Sequence, residues 1–260
     1  ICLNRRVASL RSMRTRHEPH WGEIRDFIAP DSYEDPGNGN ANEGQRRDSA
    51  IVNNTPTLAL ETGVAGLFHG TCNPAEKWIE MEAVDPALNK IHAVRKYCEE
   101  VADNILTELS RSNFYKQAPE DFRSLLAFGT CATVMQETFR GDAIVNFQSM
   151  PIGSYYVAND HERSVNQVAR DLRMSAAQMV DQFGDNCSSV VREAAKDEGR
   201  AQQEYPVVHV VYPNDNYSPM RDMLAKDKPY SSCYYEPQSP DPDGNQMLEE
   251  SGFSVFPIAC

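Results

Sequence analysis

The stretch Phe122-Arg-Ser-Leu-Leu-Ala-Phe-Gly-Thr-Cys-Ala-Thr-Val-Met-Gln136 is the place where the hydrophobic period of the chain changes. Up to Phe128, apolar residues recur every three or four positions, which is typical of a helix; from Ala132 they alternate, which is typical of a strand. Gly129 stands at the change, and glycine readily adopts the left-handed conformation that often ends a helix. The stretch therefore predicts a helix that ends at Gly129 and leads directly into a sheet.

Helical spacing dominates the chain before this stretch. It predicts helices over residues 3 to 28 with an interruption at Pro19, 48 to 69, Leu88 to Arg111 and Phe114 to Phe128. The segment Lys77 to Met81 alternates and is predicted to be a short strand. The first half of the chain is thus predicted to be mostly helical.

Alternation dominates the chain after the stretch. It predicts strands at Thr133 to Phe139, Ala143 to Gln148, Ser154 to Ala158, Val165 to Arg173, Pro206 to Tyr212 and Tyr230 to Glu236, with Gln246 to Phe256 as a hairpin partner. Two helices interrupt these strands: Ser175 to Phe183, with Ser175 as its N-cap, and Asn186 to Asp197. The predicted fold class is α+β, with N-terminal helices followed by a mostly antiparallel, strand-rich region. The predicted parts are residues 1–131, helical, and 132–260, strand-rich.

Charge limits the partners of this protein. The 260 residues include 38 acidic and 25 basic side chains, for a net charge of −13, so the chain would repel phosphate at long range. Five arginines precede the first acid, Glu18, and are interpreted as a solvated helix face. No apolar run is long enough to span a membrane, and no membrane partner is expected. The start at Ile1 and the apolar end FSVFPIAC lead us to expect a piece of a longer chain.

Cys131 is the one candidate nucleophile of the opening stretch. A catalytic thiol needs a nearby base and usually a helix N-terminus that stabilises the thiolate. Cys131 instead follows the C-terminal end of a predicted helix, where the helix dipole disfavours a thiolate. A strand follows it, so a phosphate cradle built on a helix N-terminus is excluded as well. We expect a buried small thiol; a cytosolic thiol enzyme that uses Cys131 remains the alternative of a different class.

The other candidate sites point to no chemistry. The seven cysteines lack any CxxC spacing, so neither a zinc site nor a compact disulfide framework is expected. His17 and His20 are separated by Pro19 and have no third ligand at a suitable spacing. The sequence GNGNANEG lies in a predicted loop, residues 31 to 47, and not between a strand and a helix, so it is no dinucleotide fingerprint. Residues 241 to 245 are interpreted as a hairpin turn. No catalytic residue, cofactor or metal is predicted.

Several short motifs nevertheless follow one another in a definite order. They include Trp21-Gly-Glu-Ile24 with Pro30, Asn73-Pro-Ala-Glu-Lys-Trp78, Ser112-Asn-Phe-Tyr115, Leu126-Ala-Phe-Gly-Thr130 and Gly252-Phe-Ser-Val-Phe-Pro257. In their order and spacing over nearly the whole chain, the sequence resembles the head-to-tail connector, or portal, proteins of short-tailed bacteriophages. The resemblance implies that the structural family-motif positions are Trp21, Pro30, Trp78, Phe114, Phe128, Gly129 and Thr130.

The resemblance also implies a function. Such proteins form a ring, usually a dodecamer, at the portal vertex of the capsid, and they are structural proteins of the virion and not enzymes. The implied partners are other copies of the chain, the capsid protein, terminase during packaging, tail adaptor proteins and double-stranded DNA that passes through the channel without sequence-specific binding. Assembly would take place in the cytoplasm of the bacterial host.

The chain would supply the outer wing region of such a subunit, with 1–131 and 132–260 as its helical and strand-rich parts, and without the stem and clip segments. A closed ring needs two complementary faces on each subunit. The helix from Leu88 to Arg111 and the N-terminal helix are the candidates for these faces. Another structural protein of the virion, such as an adaptor or scaffold component, is the alternative within the same class.

Overall fold

The computed structural model describes residues 3–30, 32–33, 51–138, 141–221, 224–237 and 246–260. The predicted loop at 31 to 47, apart from Ser32 and Tyr33, and the predicted turn at 241 to 245 lie outside this part. The helices are α1 (Leu3–Arg14), α2 (Glu18–Phe27), α3 (Thr55–Thr71), α4 (His92–Arg111), α5 (Phe114–Phe128), α6 (Ala176–Phe183) and α7 (Ser189–Lys196). The strands are β1 (Thr133–Glu137), β2 (Val145–Ser149), β3 (Tyr155–Asn159), β4 (Val165–Ser175), β5 (Glu204–Pro213), β6 (Tyr230–Glu236), β7 (Gln246–Phe253) and β8 (Ile258–Ala259).

The strands form two antiparallel sheets. One has three strands in the order β2-β1-β8, and the other has five in the order β3-β4-β5-β6-β7. The predicted α+β class, with helices first and antiparallel strands after them, is confirmed. The predicted cap of α6 is confirmed too, because the Ser175 hydroxyl accepts a hydrogen bond from Gln178 N and the Gln178 side chain accepts one from Ser175 N.

Two predicted elements were wrong. Residues Lys77 to Met81 are extended but pair with no strand in the described part of the chain. Alternation predicts which side chains face inward, whereas a strand also needs a partner edge. The predicted helix from Leu88 to Arg111 is broken, because Ile91 is extended (φ −84°, ψ 118°) between a 3-10 turn at Leu88–Lys90 and α4.

The chain divides into two compact units. The first contains the described residues up to Trp21 and the range Gly153–Pro257, and the second contains Gly22–Tyr33, the described residues up to Ile152, and Ile258–Cys260. The division into 1–131 and 132–260 therefore describes the order of elements along the chain, whereas the compact units cut across it. Each unit takes residues from both halves of the sequence.

The five-stranded sheet of the first unit is covered on both faces. On one face, α6 and α7 contribute Met179, Phe183, Val191 and Ala194 to a core with Val207, Tyr234 and Leu248. On the other face, α1 contributes Val7 and Leu10 to a core with Tyr156, Ala169, Val208, Val210 and Tyr235. Adjacent strand residues point to opposite faces, so Tyr155 and Tyr156, and likewise Tyr234 and Tyr235, lie on opposite faces of the sheet. All four are buried.

A buried polar network crosses the middle of this sheet. Arg170 donates from Nε to His209 Nδ1 (2.9 Å), so the other ring nitrogen, Nε2, carries the proton and donates to Ser232 Oγ (2.9 Å). The imidazole stacks on Tyr234 with ring centroids 3.9 Å apart. Burial first, and then the charge of Arg170, hold the pKa of His209 well below its ordinary value. His209 is thus a neutral, hydrogen-bonded core residue.

We predict an acid-sensitive contribution of His209 to stability. Its pKa is lower in the folded than in the unfolded chain, so below about pH 6.5 the unfolded chain binds the extra proton and stability falls as the pH falls, by at most about 1.4 kcal/mol per pH unit. Denaturant unfolding from pH 7.5 to 5 should show that the advantage of the wild type over His209→Gln shrinks toward low pH. His161→Gln, at an exposed position, should follow the wild type. An advantage over His209→Gln that is independent of pH would contradict this.

Gly252, in the family-motif segment at the end of β7, packs where no side chain fits. A Cβ atom on it would collide with the backbone oxygen atoms of Ala225 and Tyr230 and with Cβ of Lys228. Backbone atoms at this distance cannot move aside without shifting the turn before β6. The close approach therefore requires glycine at this position.

Substitution Gly252→Ala should destabilise the protein by about 2 kcal/mol or more, because it forces backbone atoms apart in a packed region. The matched control is Gly66→Ala in α3, where a Cβ would meet nothing within 4 Å. That change should be neutral or stabilising by up to about 1 kcal/mol, since alanine favours a helix. Equal unfolding midpoints for the two variants in urea would refute the packing argument.

Candidate assembly surfaces

A cluster of half-buried aromatic rings joins four segments of the second unit. The Trp78 ring stacks on Phe114 (centroids 5.8 Å apart, 16° between planes), and Phe114 meets Phe147 edge-on at 5.2 Å. Trp78 Nε1 donates to the hydroxyl of Tyr115 (3.1 Å), which also meets Phe68 edge-on. The cluster ties the extended segment at Trp78 to α3, α5 and β2. Two of the motif positions, Trp78 and Phe114, are thus in direct contact.

A polar contact beside this cluster covers the free edge of β2. Asn113 Nδ2 donates to the carbonyl of Phe147 (2.6 Å), and Phe147 N donates back to Asn113 Oδ1 (2.8 Å). Two residues further on, Ser149 N donates to Gln117 Oε1 (3.1 Å). An open sheet edge invites unwanted pairing, and here side chains from α5 and its N-cap occupy it. The sequence placed Asn113 in the motif Ser112-Asn-Phe-Tyr115 but did not reveal this contact, because its partner lies 34 residues further along the chain.

Replacement of Asn113 by Ala should lower the unfolding free energy by about 1–3 kcal/mol, since it leaves a backbone donor and acceptor of Phe147 without partners. Asn104→Ala is the matched control, because Asn104 lies exposed on α4. It should change stability by less than about 0.5 kcal/mol. The measurement is urea denaturation of both variants, and a neutral Asn113→Ala would show that β2 does not need this contact.

Three further motif positions lie at the opposite end of α5. Gly129 has the left-handed conformation predicted for it (φ 77°), and its N–H donates to the carbonyl of Leu125 (3.0 Å). Phe128 is buried, with its ring centroid 6.4 Å from that of Tyr33. Thr130, half-buried, leads into β1. These residues end the helix and turn the chain, so their observed contacts are structural.

Cys131 does not have the surroundings of a nucleophile. Burial first, and then the negative charge of Asp121, raise the pKa of its thiol, so the thiol stays protonated at neutral pH. The thiol is half-buried and not fully buried as expected, because β1 begins two residues later and Cys131 lies at the margin of the packed region.

The remaining motif positions, Trp21 and Pro30, lie in α2 and shortly after it. Trp21 stacks on His17 with ring centroids 5.6 Å apart, one turn earlier in the chain. Pro30 is half-buried after the end of α2. The structure therefore groups Trp78 with Phe114, and Phe128 with Gly129 and Thr130, but attaches neither Trp21 nor Pro30 to these groups.

The N-terminal arginines hold α1 on the five-stranded sheet. Arg14 is 8% exposed; it donates to the backbone oxygen atoms of Gly153 and Tyr155 and lies 4.1 Å from the centroid of the Tyr156 ring. Arg11 forms an ion pair with Asp171 at 2.6 Å. The prediction of a solvated arginine face is therefore wrong for Arg14, whereas the side chain of Arg11 is 47% exposed. Since Val7 and Leu10 are also buried here, the apolar face of the N-terminal helix is part of its own core.

Two helices of the second unit expose apolar surface. In α3, 17 residues long, only Val64 is buried, and its one carboxylate, Glu61, is paired with Arg123 at 2.9 Å. Leu58 on the same helix is 64% exposed. In α4, 20 residues long, only Ala102 is buried. A helix as apolar as α3 is usually covered on more than one side, so its exposed face is a candidate for contact with another molecule, whereas most exposed residues of α4 are polar or charged.

The described residues contain neither a candidate metal site nor a candidate membrane span. Within them, no three His, Cys, Asp or Glu side chains are grouped so that they could hold a metal ion. None of the helices in these ranges is both long enough and apolar enough to cross a bilayer.

Comparison with known proteins agrees with a role in assembly. The family model described as "Bacteriophage head to tail connecting protein" matches residues 2–260. The portal protein of Salmonella phage epsilon15 is 33% identical over 257 residues, which cover 98% of this chain and 45% of the relative. A probable portal protein of Bordetella phage BPP-1 is 31% identical over 261 residues, with the same coverage of 98% and 45%.

The chain is thus an α+β protein of a phage structural class, and it belongs to the family of bacteriophage head to tail connecting proteins. The resemblance drawn from the motifs is confirmed. The chain spans a little under half the length of the two relatives.

Proposed function

We propose that this chain is part of a portal subunit, which forms a ring at one vertex of a phage capsid. The observation that supports this most strongly is the match of residues 2–260 to the family, together with two relatives described as portal proteins. Double-stranded DNA would be packaged and ejected through the ring, and terminase and tail proteins would dock on it. The chain would supply the wing, with 1–131 as its helical part and 132–260 as its strand-rich part.

Charge supports a passage for DNA and not a tight binding site. The net charge of −13 gives phosphate no general attraction, and binding to duplex DNA usually depends on lysine and arginine contacts to phosphates. The most arginine-rich segment, α1, uses Arg11 and Arg14 within the fold. A ring of such subunits would let DNA slide without retaining it.

The proposed role needs no catalytic chemistry. The thiol of Cys131 has a raised pKa, which disfavours the thiolate that a cysteine enzyme requires. The seven motif positions would act by shaping the subunit: Trp78 and Phe114 through the aromatic cluster, Phe128, Gly129 and Thr130 through the turn into β1, and Trp21 and Pro30 around α2. This structural role of the seven motif positions is a proposal that rests on their contacts in the fold.

Electron microscopy of the purified whole protein tests the proposal. We expect closed rings, with about twelve subunits, and we expect Cys131→Ser to form them as readily as the wild type. Particles that remain monomeric across a range of protein and salt concentrations would overturn the portal assignment. If the wild type forms rings and Cys131→Ser does not, the thiol is needed for assembly, contrary to the structural role proposed here.

A further inference from the structure

A preorganised loop precedes α4 in the second unit. The side chain of Asn89 holds the backbone of Ala83 at two points, since Ala83 N donates to Oδ1 (2.8 Å) and Nδ2 donates to the Ala83 carbonyl (3.1 Å). Asp85 Oδ1 accepts a hydrogen bond from Ala87 N (2.8 Å). The segment is therefore held in one shape by its own side chains, and Trp78, just before it, is anchored in the aromatic cluster.

This fixed loop presents apolar side chains to solvent. Val84 is fully exposed, and Leu88 and Ile91 are 44% and 49% exposed. We call these three residues the crest. Local side chains hold the loop in shape while its apolar groups stay outside, which is the arrangement expected of a docking surface that is ready before binding.

Acidic side chains lie toward the N-terminal end of the crest along the chain, and basic side chains lie toward its C-terminal end. The acidic flank consists of Glu80, Glu82 and Asp85, and the basic flank consists of Lys90, Arg95 and Lys96; all six are exposed. Within the described residues, Lys96 alone among them has an ion pair, with Glu100 at 3.7 Å. The acidic and basic flanks of one molecule therefore do not satisfy each other.

One member of the basic flank is placed against local stability. Arg95 lies in the first turn of α4, which contains no acidic residue and whose N-cap, Ile91, makes no side-chain cap. The positive end of the helix dipole disfavours arginine there, by about 0.3–1 kcal/mol. This position is understandable if Arg95 meets a carboxylate of another molecule.

We propose that the crest and its two flanks form a contact between copies of this chain, with the acidic flank of one copy against the basic flank of the next. A ring requires such a head-to-tail contact, in which each subunit offers two different complementary faces. Charge complementarity supports a second copy as the partner, because each subunit carries an acidic flank for one neighbour and a basic flank for the other. This inference rests on the proposed function and adds to it the residues that join neighbouring subunits.

Two charge-reversal variants of the whole protein test the contact. One carries Glu80→Lys, Glu82→Lys and Asp85→Lys, so that both flanks are basic; the other carries Lys90→Glu, Arg95→Glu and Lys96→Glu, so that both are acidic. Each variant alone should fail to form rings, since like charges meet at every contact. An equimolar mixture should form rings with an even number of subunits, because alternating copies restore every pairing. Light scattering and electron microscopy give the readout.

Matched controls separate the contact from net charge. Two control variants make the same changes of net charge at exposed positions of the first unit. One carries Glu193→Lys, Glu198→Lys and Glu204→Lys. The other carries Arg192→Glu, Lys196→Glu and Arg200→Glu. Both control variants should form rings alone. The single change Val84→Ser, at a fully exposed position that folding does not use, should raise the protein concentration needed for assembly by about tenfold.

The outcomes distinguish the two proposals. Rings formed by each reversed variant alone would overturn the contact and leave the portal function intact. The contact is also overturned if the mixture stays unassembled, or if rings form normally but no longer enter capsids, which would assign the surface to the capsid protein. A wild type that stays monomeric overturns both proposals together.

Discussion

The attachment of α1 to the five-stranded sheet is the constraint on which the first unit depends. Val7 and Leu10 fill a core whose other members lie in the second half of the chain, and Arg14 satisfies backbone oxygen atoms at Gly153 and Tyr155. Without this helix one face of the sheet would be open, and Tyr156 and Tyr235 would lose their cover. The second half of the chain therefore cannot complete this core without the beginning of the chain.

The second unit relies on a different kind of contact. Its three-stranded sheet is small, and β2 at its edge is closed by side chains from Asn113 and Gln117 in place of a further strand. Aromatic rings around Trp78 and Phe114 provide much of the packing nearby. Val64 is the one buried residue of α3 and Ala102 the one buried residue of α4, and α3 exposes apolar side chains such as Leu58. A unit built in this way has surface to offer to neighbours, whereas the first unit has covered both faces of its sheet.

Local patterns predicted most elements because each depends on residues close together in the chain. The helix over Phe114 to Phe128, its end at Gly129 and the capping of α6 by Ser175 are of this kind. The failures concern distant partners: alternation in Lys77 to Met81 did not supply a neighbouring strand, and β8 was not anticipated because it pairs with β1 from the far end of the sequence. The burial of Arg14 in α1 was missed for the same reason, and so was the contact of Asn113 with the edge of β2. The family, by contrast, was recognisable from motif order, which needs no knowledge of contacts.

The return of the chain at β8 has a topological consequence. Ile258 and Ala259 pair with Val134 and Thr133, so the chain re-enters the second unit after completing the sheet of the first. Segments of the two units alternate along the sequence, so neither unit is formed by one continuous stretch of the chain. One proteolytic cut between them would not free an intact unit, and a deletion that removes one compact body must take pieces from several places in the gene. The described residues of the second unit up to Ile152 lie in the sequence between two parts of the first unit, so they form no terminal module that a single cut could release.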